Sequence, residues 1–162
     1  MQPESDSRIH LIGIISDTHG LLRPEVFKAL EGVDVIFHAG DVGGDDILDA
    51  LGEIAPTYAV LGNTDPEDDP RLSVVIEQEF GGLRVHVSHG HELGVPTPAK
   101  LLAAYSADVL VYGHTHVQLV VRAGGRVVVN PGAAGQRRFK LSPSVAKLTI
   151  RDRSAHAEVI SL

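Results

Sequence analysis

Strand-length apolar runs alternate with helix-spaced segments in the first part of the chain, and this alternation constrains the fold most. The runs cover residues 9–16, 33–39 and 57–61. Between them, Pro24 is placed to open a short helix, and residues 45–54 carry apolar side chains at helical spacing. Two β–α–β units in succession predict a parallel sheet with right-handed crossovers.

The rest of the chain has a pattern that includes antiparallel strands. Gly-Gly pairs at 81–82 and 124–125 separate apolar segments and predict two hairpins, the first beginning with one strand over 73–80. The order predicts an α/β fold, a four-layer α/β/β/α sandwich of two mixed sheets flanked by helices. The other elements expected are a helix over 98–105 and strands over 83–88, 108–112, 118–123, 127–129, 146–150 and 158–162.

Length and composition indicate one domain in a cytoplasmic protein. The chain has 162 residues, of which 43% are hydrophobic, and residues 8–162 are expected to form a single domain. Residues 1–7 are polar and acidic, which predicts a disordered tail and lacks the features of a signal peptide. No apolar run approaches the roughly 20 residues that span a bilayer, so no membrane association is expected. The absence of Cys excludes disulfides and thiolate metal sites.

The charge balance limits the partners. A formal net charge of -7 argues against passive binding to nucleic acid or to an anionic membrane. It does not exclude an anionic substrate, because bound metal ions can reverse the sign of the charge locally. A small phosphodiester or nucleotide-like substrate is therefore compatible with the composition, whereas a nuclease lacks an obvious basic track.

Polar residues that can bind metals follow the predicted strands at the points where the apolar runs end. Ligands of open α/β sheets bind at the carboxyl ends of the strands, so these five segments are expected to converge. Glycine precedes several of these residues and allows sharp bends and close packing. The residues are Asp17 and His19, then Asp41, then Asn63, then His89 and His91, and finally His114 and His116.

Each of these residues also has an ordinary structural interpretation. Asp17 could cap the helix that follows it, Asp41 could be a turn residue, and Asn63 could begin an Asx-turn. The histidines at 114 and 116 could lie in an exposed loop. Unrelated helix caps and turns, however, would not explain why metal-binding residue types occur at the ends of successive strands.

The ordered motifs of the chain resemble those of the calcineurin-like metallophosphoesterases, in particular the small bacterial and archaeal phosphodiesterases. The resemblance runs from about residue 9 to residue 132. It implies that Asp41 bridges two metal ions and that the other ligands divide between them. The motifs are Asp17-x-His19, Gly40-Asp41, Gly62-Asn63, His89-Gly-His91 and Gly113-His-Thr-His116. By the same resemblance, Asp17, His19 and His116 hold one metal, and Asn63, His89 and His114 hold the other.

The ligand chemistry favours two borderline-to-hard divalent cations, with Mn²⁺ preferred and Fe²⁺, Zn²⁺, Ni²⁺ or Co²⁺ as alternatives. The activity expected is hydrolysis of a phosphodiester by a metal-bridging hydroxide. Two alternatives stay open at this point. One is a phosphomonoesterase or nucleotidase of the same superfamily, and the other is a non-catalytic protein-binding scaffold on this fold. Association into a homo-oligomer is also left open.

The chain departs from the family pattern at two places. Many relatives carry His directly after the Asn, whereas here Thr64 and Asp65 follow Asn63, which favours diesters over poorly activated monoesters. Asp65 is a candidate for leaving-group assistance, although an acidic turn residue explains it equally well. The chain also has Ala133 where family members often have Ser. We expect His91 to contribute to catalysis, together with Asp41 and Asn63.

Three further residues have open roles. His38 could orient a metal ligand or could be a satisfied histidine of the core. Arg137 and Arg138 could contact an anionic substrate or could belong to a solvated basic loop.

Overall fold

A computed structural model describes residues 8–138 and 140–162; the expected tail, 1–7, lies outside the described residues. The helices are α1 (Glu25–Ala29), α2 (Asp45–Gly52) and α3 (Pro98–Ala104). The strands are β1 (His10–Ile15), β2 (Val35–His38), β3 (Thr57–Val60), β4 (Leu72–Ser73), β5 (Ile76–Phe80), β6 (Leu83–Val87), β7 (Val109–Val111), β8 (Leu119–Ala123), β9 (Arg126–Asn130), β10 (Ser144–Arg151) and β11 (Ser154–Ser161).

The strands form two mixed sheets. The first has the order β11-β10-β1-β2-β3-β4, in which β1 to β4 are parallel. β10 pairs antiparallel with β1, and β11 pairs antiparallel with β10. The second has the order β5-β6-β7-β9-β8, with a parallel centre and an antiparallel strand at each edge. The predicted parallel sheet with β–α–β units and both glycine hairpins are confirmed.

Three apolar layers hold the sandwich together. Successive residues of a strand point to opposite faces, so in β2 Phe37 packs between the two sheets, whereas Ile36 packs against the helical side. Val111 of the second sheet joins the layer between the sheets, and Leu51 of α2 joins the layer of Ile36. Leu101 of α3 covers the outer face of the second sheet. The four-layer architecture is therefore confirmed.

The strand expected over 73–80 is not one element, and this part of the prediction is wrong. β4 pairs with β3 in the first sheet, whereas β5 pairs with β6 in the second, so the chain crosses between the sheets at residues 74 and 75. The side chain of Val74 is 73% exposed there. The consecutive apolar residues 74–76 hid the crossing, because periodicity does not report which sheet a strand joins.

The last hairpin is longer than predicted. β10 begins at Ser144 and β11 at Ser154, and the tight turn between them uses positive φ angles at Asp152 and Arg153. Because this turn contains no glycine, its sequence gave no hairpin signal. Within the described part of the chain, every helix is too short to cross a membrane.

The layer between the sheets should dominate the stability of the fold. Phe37→Ala, at a fully buried position beside Phe80, should lower the free energy of unfolding by about 3–5 kcal/mol, because it leaves a cavity. The control Val74→Ala, in the exposed crossing, should change it by less than about 0.5 kcal/mol. Urea unfolding followed by circular dichroism measures both, and similar losses for the two variants would contradict this layer assignment.

Candidate metal centre

The carboxyl ends of five parallel strands meet at one edge of the sandwich and bring the predicted residues together. A first group consists of Asp17, His19 and His116, whose ligand atoms all lie within 4.8 Å of one another. His116 Nε2 lies 3.2 Å from Asp17 Oδ1, and His19 Nε2 lies 3.7 Å from the same oxygen. The geometry of this group suits one cation.

A second group lies beside the first. It consists of Asp41, His89 and His114, whose ligand atoms also lie within 4.8 Å of one another. The Asn63 side-chain oxygen is 3.0 Å from His89 Nε2 and 3.1 Å from His114 Nδ1. Four side chains from four loops thus converge here.

Asp41 lies between the two groups. Its Oδ2 is 3.3 Å from His89 Nε2 in the second group and 3.6 Å from His19 Nε2 in the first. A single carboxylate therefore faces both sets of ligands, as a bridging residue must.

Both aspartates use one oxygen for the scaffold and present the other to the site. Asp17 Oδ2 accepts hydrogen bonds from the Ser16 hydroxyl at 2.5 Å and from the backbone N–H of His114 at 3.1 Å. Asp41 Oδ1 accepts one from the backbone N–H of Thr64 at 2.9 Å. The remaining oxygens, Asp17 Oδ1 and Asp41 Oδ2, point at the histidine nitrogens.

The tautomer of His89 fits a metal ligand. Its Nδ1 lies 2.7 Å from the carbonyl oxygen of Ala39, which can only accept, so Nδ1 carries the proton. In the neutral ring, Nε2 then directs a lone pair at the oxygens of Asp41 and Asn63. These acceptors repel one another unless a proton or a cation lies between them.

Buried polar atoms at the site lack partners. Within the described residues, Asp17 Oδ1 and His19 Nε2 are buried and accept or donate no hydrogen bond. Leaving such atoms unsatisfied is unfavourable, so native structures pair them with protein, water or an ion. The donor set and these unpartnered atoms together fit a pair of divalent cations.

The pKa values show strong coupling between the carboxylates and the rings. The Asp17 carboxylate, whose Oδ1 lies 3.7 Å from His19 Nε2, is the main cause that raises the pKa of His19. Burial opposes the charged form of His89, but the bond to Asp41 and the charges of both aspartates outweigh it and raise its pKa. For Asp41, burial opposes ionisation, yet His89 and the Thr64 amide lower its pKa to about 2. The carboxylates therefore favour the protonated forms of His19 and His89.

Backbone strain is concentrated at the site. Within residues 8–138 and 140–162, seven non-glycine residues have positive φ, and five of them belong to the two ligand groups. Such conformations are uncommon outside glycine and cluster at functional sites. The five are Asp17, His19, Asp41, His114 and His116.

Glycines allow the loops to approach one another. A Cβ at Gly62 would overlap the backbone and carboxylate of Asp41, with Asp41 Cγ only 2.8 Å away. A Cβ at Gly113 would lie 2.7 Å from Asp17 Oδ2. Neither glycine has a positive φ, so close approach and not a special turn requires them.

His38 supports the loops. Its Nδ1 accepts the backbone N–H of Gly40, and its Nε2 lies 2.9 Å from the Thr18 hydroxyl, which donates to the carbonyl of Val42. Burial lowers the pKa of His38 to about 4, so the ring is neutral. The ring therefore connects the loop after β1 to the loop after β2.

A cleft of about 380 Å³ opens over the ligands. Its remaining walls include Thr64, Thr115 and Arg138. Arg138 therefore faces the cleft, which it must do if it contacts an anionic substrate. The walls are His19, Asp41, Asn63, Thr64, His114, Thr115, His116, Arg138 and Leu141.

Two of the residues predicted to be catalytic, Asp65 and His91, do not line this cleft. The Asp65 carboxylate accepts backbone N–H groups of Asp41, Val42 and Gly62 and does not line the cleft, which leaves no free oxygen for leaving-group assistance. His91 begins a 3₁₀ turn beside His89, with ring centroids 5.3 Å apart, and is also absent from the cleft wall. A catalytic role of His91 stays a prediction.

Sequence reasoning missed two supporting residues. The Ser16 hydroxyl anchors Asp17, and the buried Asn130 amide donates to the carbonyl of Gly113 and to the Thr115 hydroxyl. Asn130 ends β9, the parallel neighbour of β7, and so lies at the same edge. Its position at a strand end was the signal that could have identified it.

Comparisons with known proteins confirm the resemblance to the calcineurin-like family. A family model described as the calcineurin-like phosphoesterase superfamily domain matches residues 11–153. A probable metallophosphoesterase of Methanothermobacter thermautotrophicus is 37% identical over 161 residues, covering 93% of this chain and 91% of the relative. Phosphodiesterase MJ0936 of Methanocaldococcus jannaschii is 30% identical, covering 75% and 82%. Vps29 of Chaetomium thermophilum has the same fold, with a TM-score of 0.78 at 22% identity, covering 94% and 97%.

Metal uptake should release protons. Because the carboxylates raise the pKa of His19 and of His89, these rings retain protons above about pH 6.5 when no cation is bound. Cation binding requires neutral rings, so apparent Mn²⁺ affinity should rise as pH increases through the raised pKa values and should fall in acid.

Calorimetric titration in buffers with different ionisation enthalpies counts the released protons. His156→Gln, at an exposed histidine of β11, should leave that count unchanged. Affinity that is independent of pH between about 6 and 8 would contradict coupling of the rings to the cation site.

Proposed function

The chain belongs to the calcineurin-like phosphoesterase superfamily, and we propose that it is a dinuclear metal-dependent phosphodiesterase. The observation that supports this best is the Asp41 carboxylate, which faces His19 of one ligand group and His89 of the other. A cleft of about 380 Å³ suits a small phosphodiester or nucleotide-like substrate, since small-molecule sites commonly have volumes of about 300–1,000 Å³.

In this proposal, Asp41 would hold both cations and the other ligands would divide between them. Carboxylate, amide and imidazole ligands suit Mn²⁺, with Fe²⁺, Zn²⁺, Ni²⁺ or Co²⁺ as alternatives. The ligands are Asp17, His19 and His116 for one cation, and Asn63, His89 and His114 for the other.

The chain's own residues position the reactants. A pair of divalent cations held by these residues would acidify a bound water and would supply positive charge for the phosphoryl oxygens. Asp17 and Asp41 leave a net positive charge at such a site, which draws an anion to an otherwise acidic protein. Arg138 adds a cationic wall to the cleft, and Thr64 and Thr115 are also among the residues that line it.

The leaving-group side of the cleft favours diesters with good leaving groups. Thr64 cannot act as an acid at neutral pH, and the Asp65 carboxylate is held by backbone amides. Without a positioned general acid, an alkyl monoester should react slowly. A phosphomonoesterase is therefore the second candidate, and a screen of both ester classes with Mn²⁺-loaded protein separates the two.

A scaffold on the same fold is the other alternative, and metal binding tests it. The purified protein should bind about two divalent ions, and saturating metal should raise the melting temperature by roughly 5–10 °C per site relative to chelated protein. Elemental analysis and thermal melts before and after EDTA measure both quantities.

Two variants make this test specific. Asp41→Asn should lose metal and hydrolysis together, because it removes the charge shared by both groups. The control Asp68→Asn makes the same change at an exposed position of the nearby acidic loop and should behave as the parent protein. No metal uptake at neutral pH, with melting indifferent to EDTA, would favour the scaffold.

Substrate preference should respond to residue 64. Thr64→His places an imidazole on the cleft wall and keeps the backbone N–H that Asp41 Oδ1 accepts. Because a general acid contributes about 10²–10⁴-fold, the ratio of diester to monoester hydrolysis should fall by at least about tenfold.

Thr64→Asn is the matched control, since it is polar but cannot donate a proton as an acid. The ratio of kcat/KM for an activated aryl diester to that for an alkyl monoester is the measurement. An alkyl monoester that is already the better substrate of the parent protein would show that the role of Thr64 has been misread.

A further inference from the structure

Asp65 has an environment unlike that of its acidic neighbours. Glu67 and Asp68 are exposed, whereas Asp65 is only 8% exposed. Its backbone N–H donates to the carbonyl of Gly62 at 3.3 Å, which closes the turn that carries Asn63. The side chain therefore points into the protein and not into solvent.

The Asp65 carboxylate fills a nest of backbone N–H groups. Oδ2 accepts from Asp41 at 2.8 Å and from Gly62 at 3.0 Å, and Oδ1 accepts from Val42 at 2.9 Å and from Gly43 at 3.3 Å. Successive N–H groups around a left-handed residue form such anion-binding concavities. Here an internal carboxylate occupies the concavity.

The hydrogen bonds of this nest fix the backbone conformation of Asp41. Asp41 has a φ of 57°, an unfavourable conformation that persists only when surrounding contacts enforce it. Asp65 binds the N–H of Asp41 itself and those of the next two residues. In return, Asp41 Oδ1 accepts the N–H of Thr64, from the same turn as Asp65.

The two sets of bonds leave one free atom at Asp41. Its backbone and its Oδ1 are both fixed by residues 62–65, so Oδ2 alone is directed at His19 and His89. Asn63 lies inside the same turn, so its side-chain oxygen is placed by the same contacts. One carboxylate thus sets the position of two ligands from two different loops.

We propose that Asp65 is a positioning residue, which acts through the backbone of Asp41 and through the turn of Asn63 to set the spacing of the two cation sites. This role rests on the proposed function and replaces leaving-group assistance. The carboxylate does not line the cleft, so its effect must reach the chemistry through the ligands that it positions.

The isosteric change Asp65→Asn is the direct test. It replaces one acceptor oxygen with an NH₂ group, which in either orientation faces two backbone N–H donors, Asp41 with Gly62 or Val42 with Gly43. Mn²⁺ affinity measured by calorimetry should fall by roughly 10–100-fold, as for other residues that orient metal ligands. In metal-saturated assays, kcat should fall while KM changes little.

Two controls separate positioning from general loss of stability. Asp68→Asn makes the same chemical change on the exposed part of the loop and should keep parental Mn²⁺ affinity. Leu101→Ala, in the buried layer under α3, should lower the melting temperature without changing Mn²⁺ affinity, measured well below both melting points. Should Asp65→Asn not fold, Asp65→Glu keeps the charge but displaces the carboxylate, and a smaller loss of affinity is expected.

The outcomes are distinguishable. Asp65→Asn could have a lowered melting temperature, as Leu101→Ala does, and still bind Mn²⁺ with parental affinity. That result would overturn the positioning role and leave the proposed function intact. A parent protein that binds Mn²⁺ but hydrolyses no ester would overturn the proposed activity, while the affinity of Asp65→Asn still tests positioning. A parent protein that takes up no Mn²⁺ would overturn both.

Discussion

The arrangement of the rest of the structure depends on two carboxylates that are buried among imidazole rings. Asp17 and Asp41 are 1% and 2% exposed, so their charges must be balanced inside the protein. Rings from both sheets surround them, and the two sheets must therefore meet at this edge. The apolar core between the sheets holds them together at this edge, because it fixes the ends of the parallel strands relative to one another.

Each aspartate is held by contacts that the cation does not provide. The hydroxyl of Ser16 and the amide of His114 anchor Asp17, and the turn at 62–65 anchors Asp41. His38 joins the two loops as a neutral ring. Ligands fixed in this way lose little conformational freedom when a cation binds, which favours affinity.

The sequence predicted the architecture and the polar residues that meet at the edge of the sandwich, because both depend on local patterns. Apolar runs ended where the strands end, and a glycine before a polar residue correctly indicated crowding at Gly62 and Gly113. The crossing at residues 74–75 and the role of Asp65 were not predictable in the same way. Both depend on partners far away in the sequence: β3 and β6 for the crossing, and the amides of residues 41–43 for Asp65.

The residue types at the site satisfy two requirements at once. Five residues of the two candidate ligand groups adopt left-handed backbone conformations. Asn, Asp and His are several-fold enriched among non-glycine residues in that conformation, whereas branched or bulky residues are genuine outliers there. The same three residue types offer the oxygen and imidazole donors that borderline and hard divalent cations prefer. A replacement at Asp41 or His116 by an apolar residue would therefore lose a ligand and add backbone strain, so the conformation and the chemistry of these loops select the same side chains.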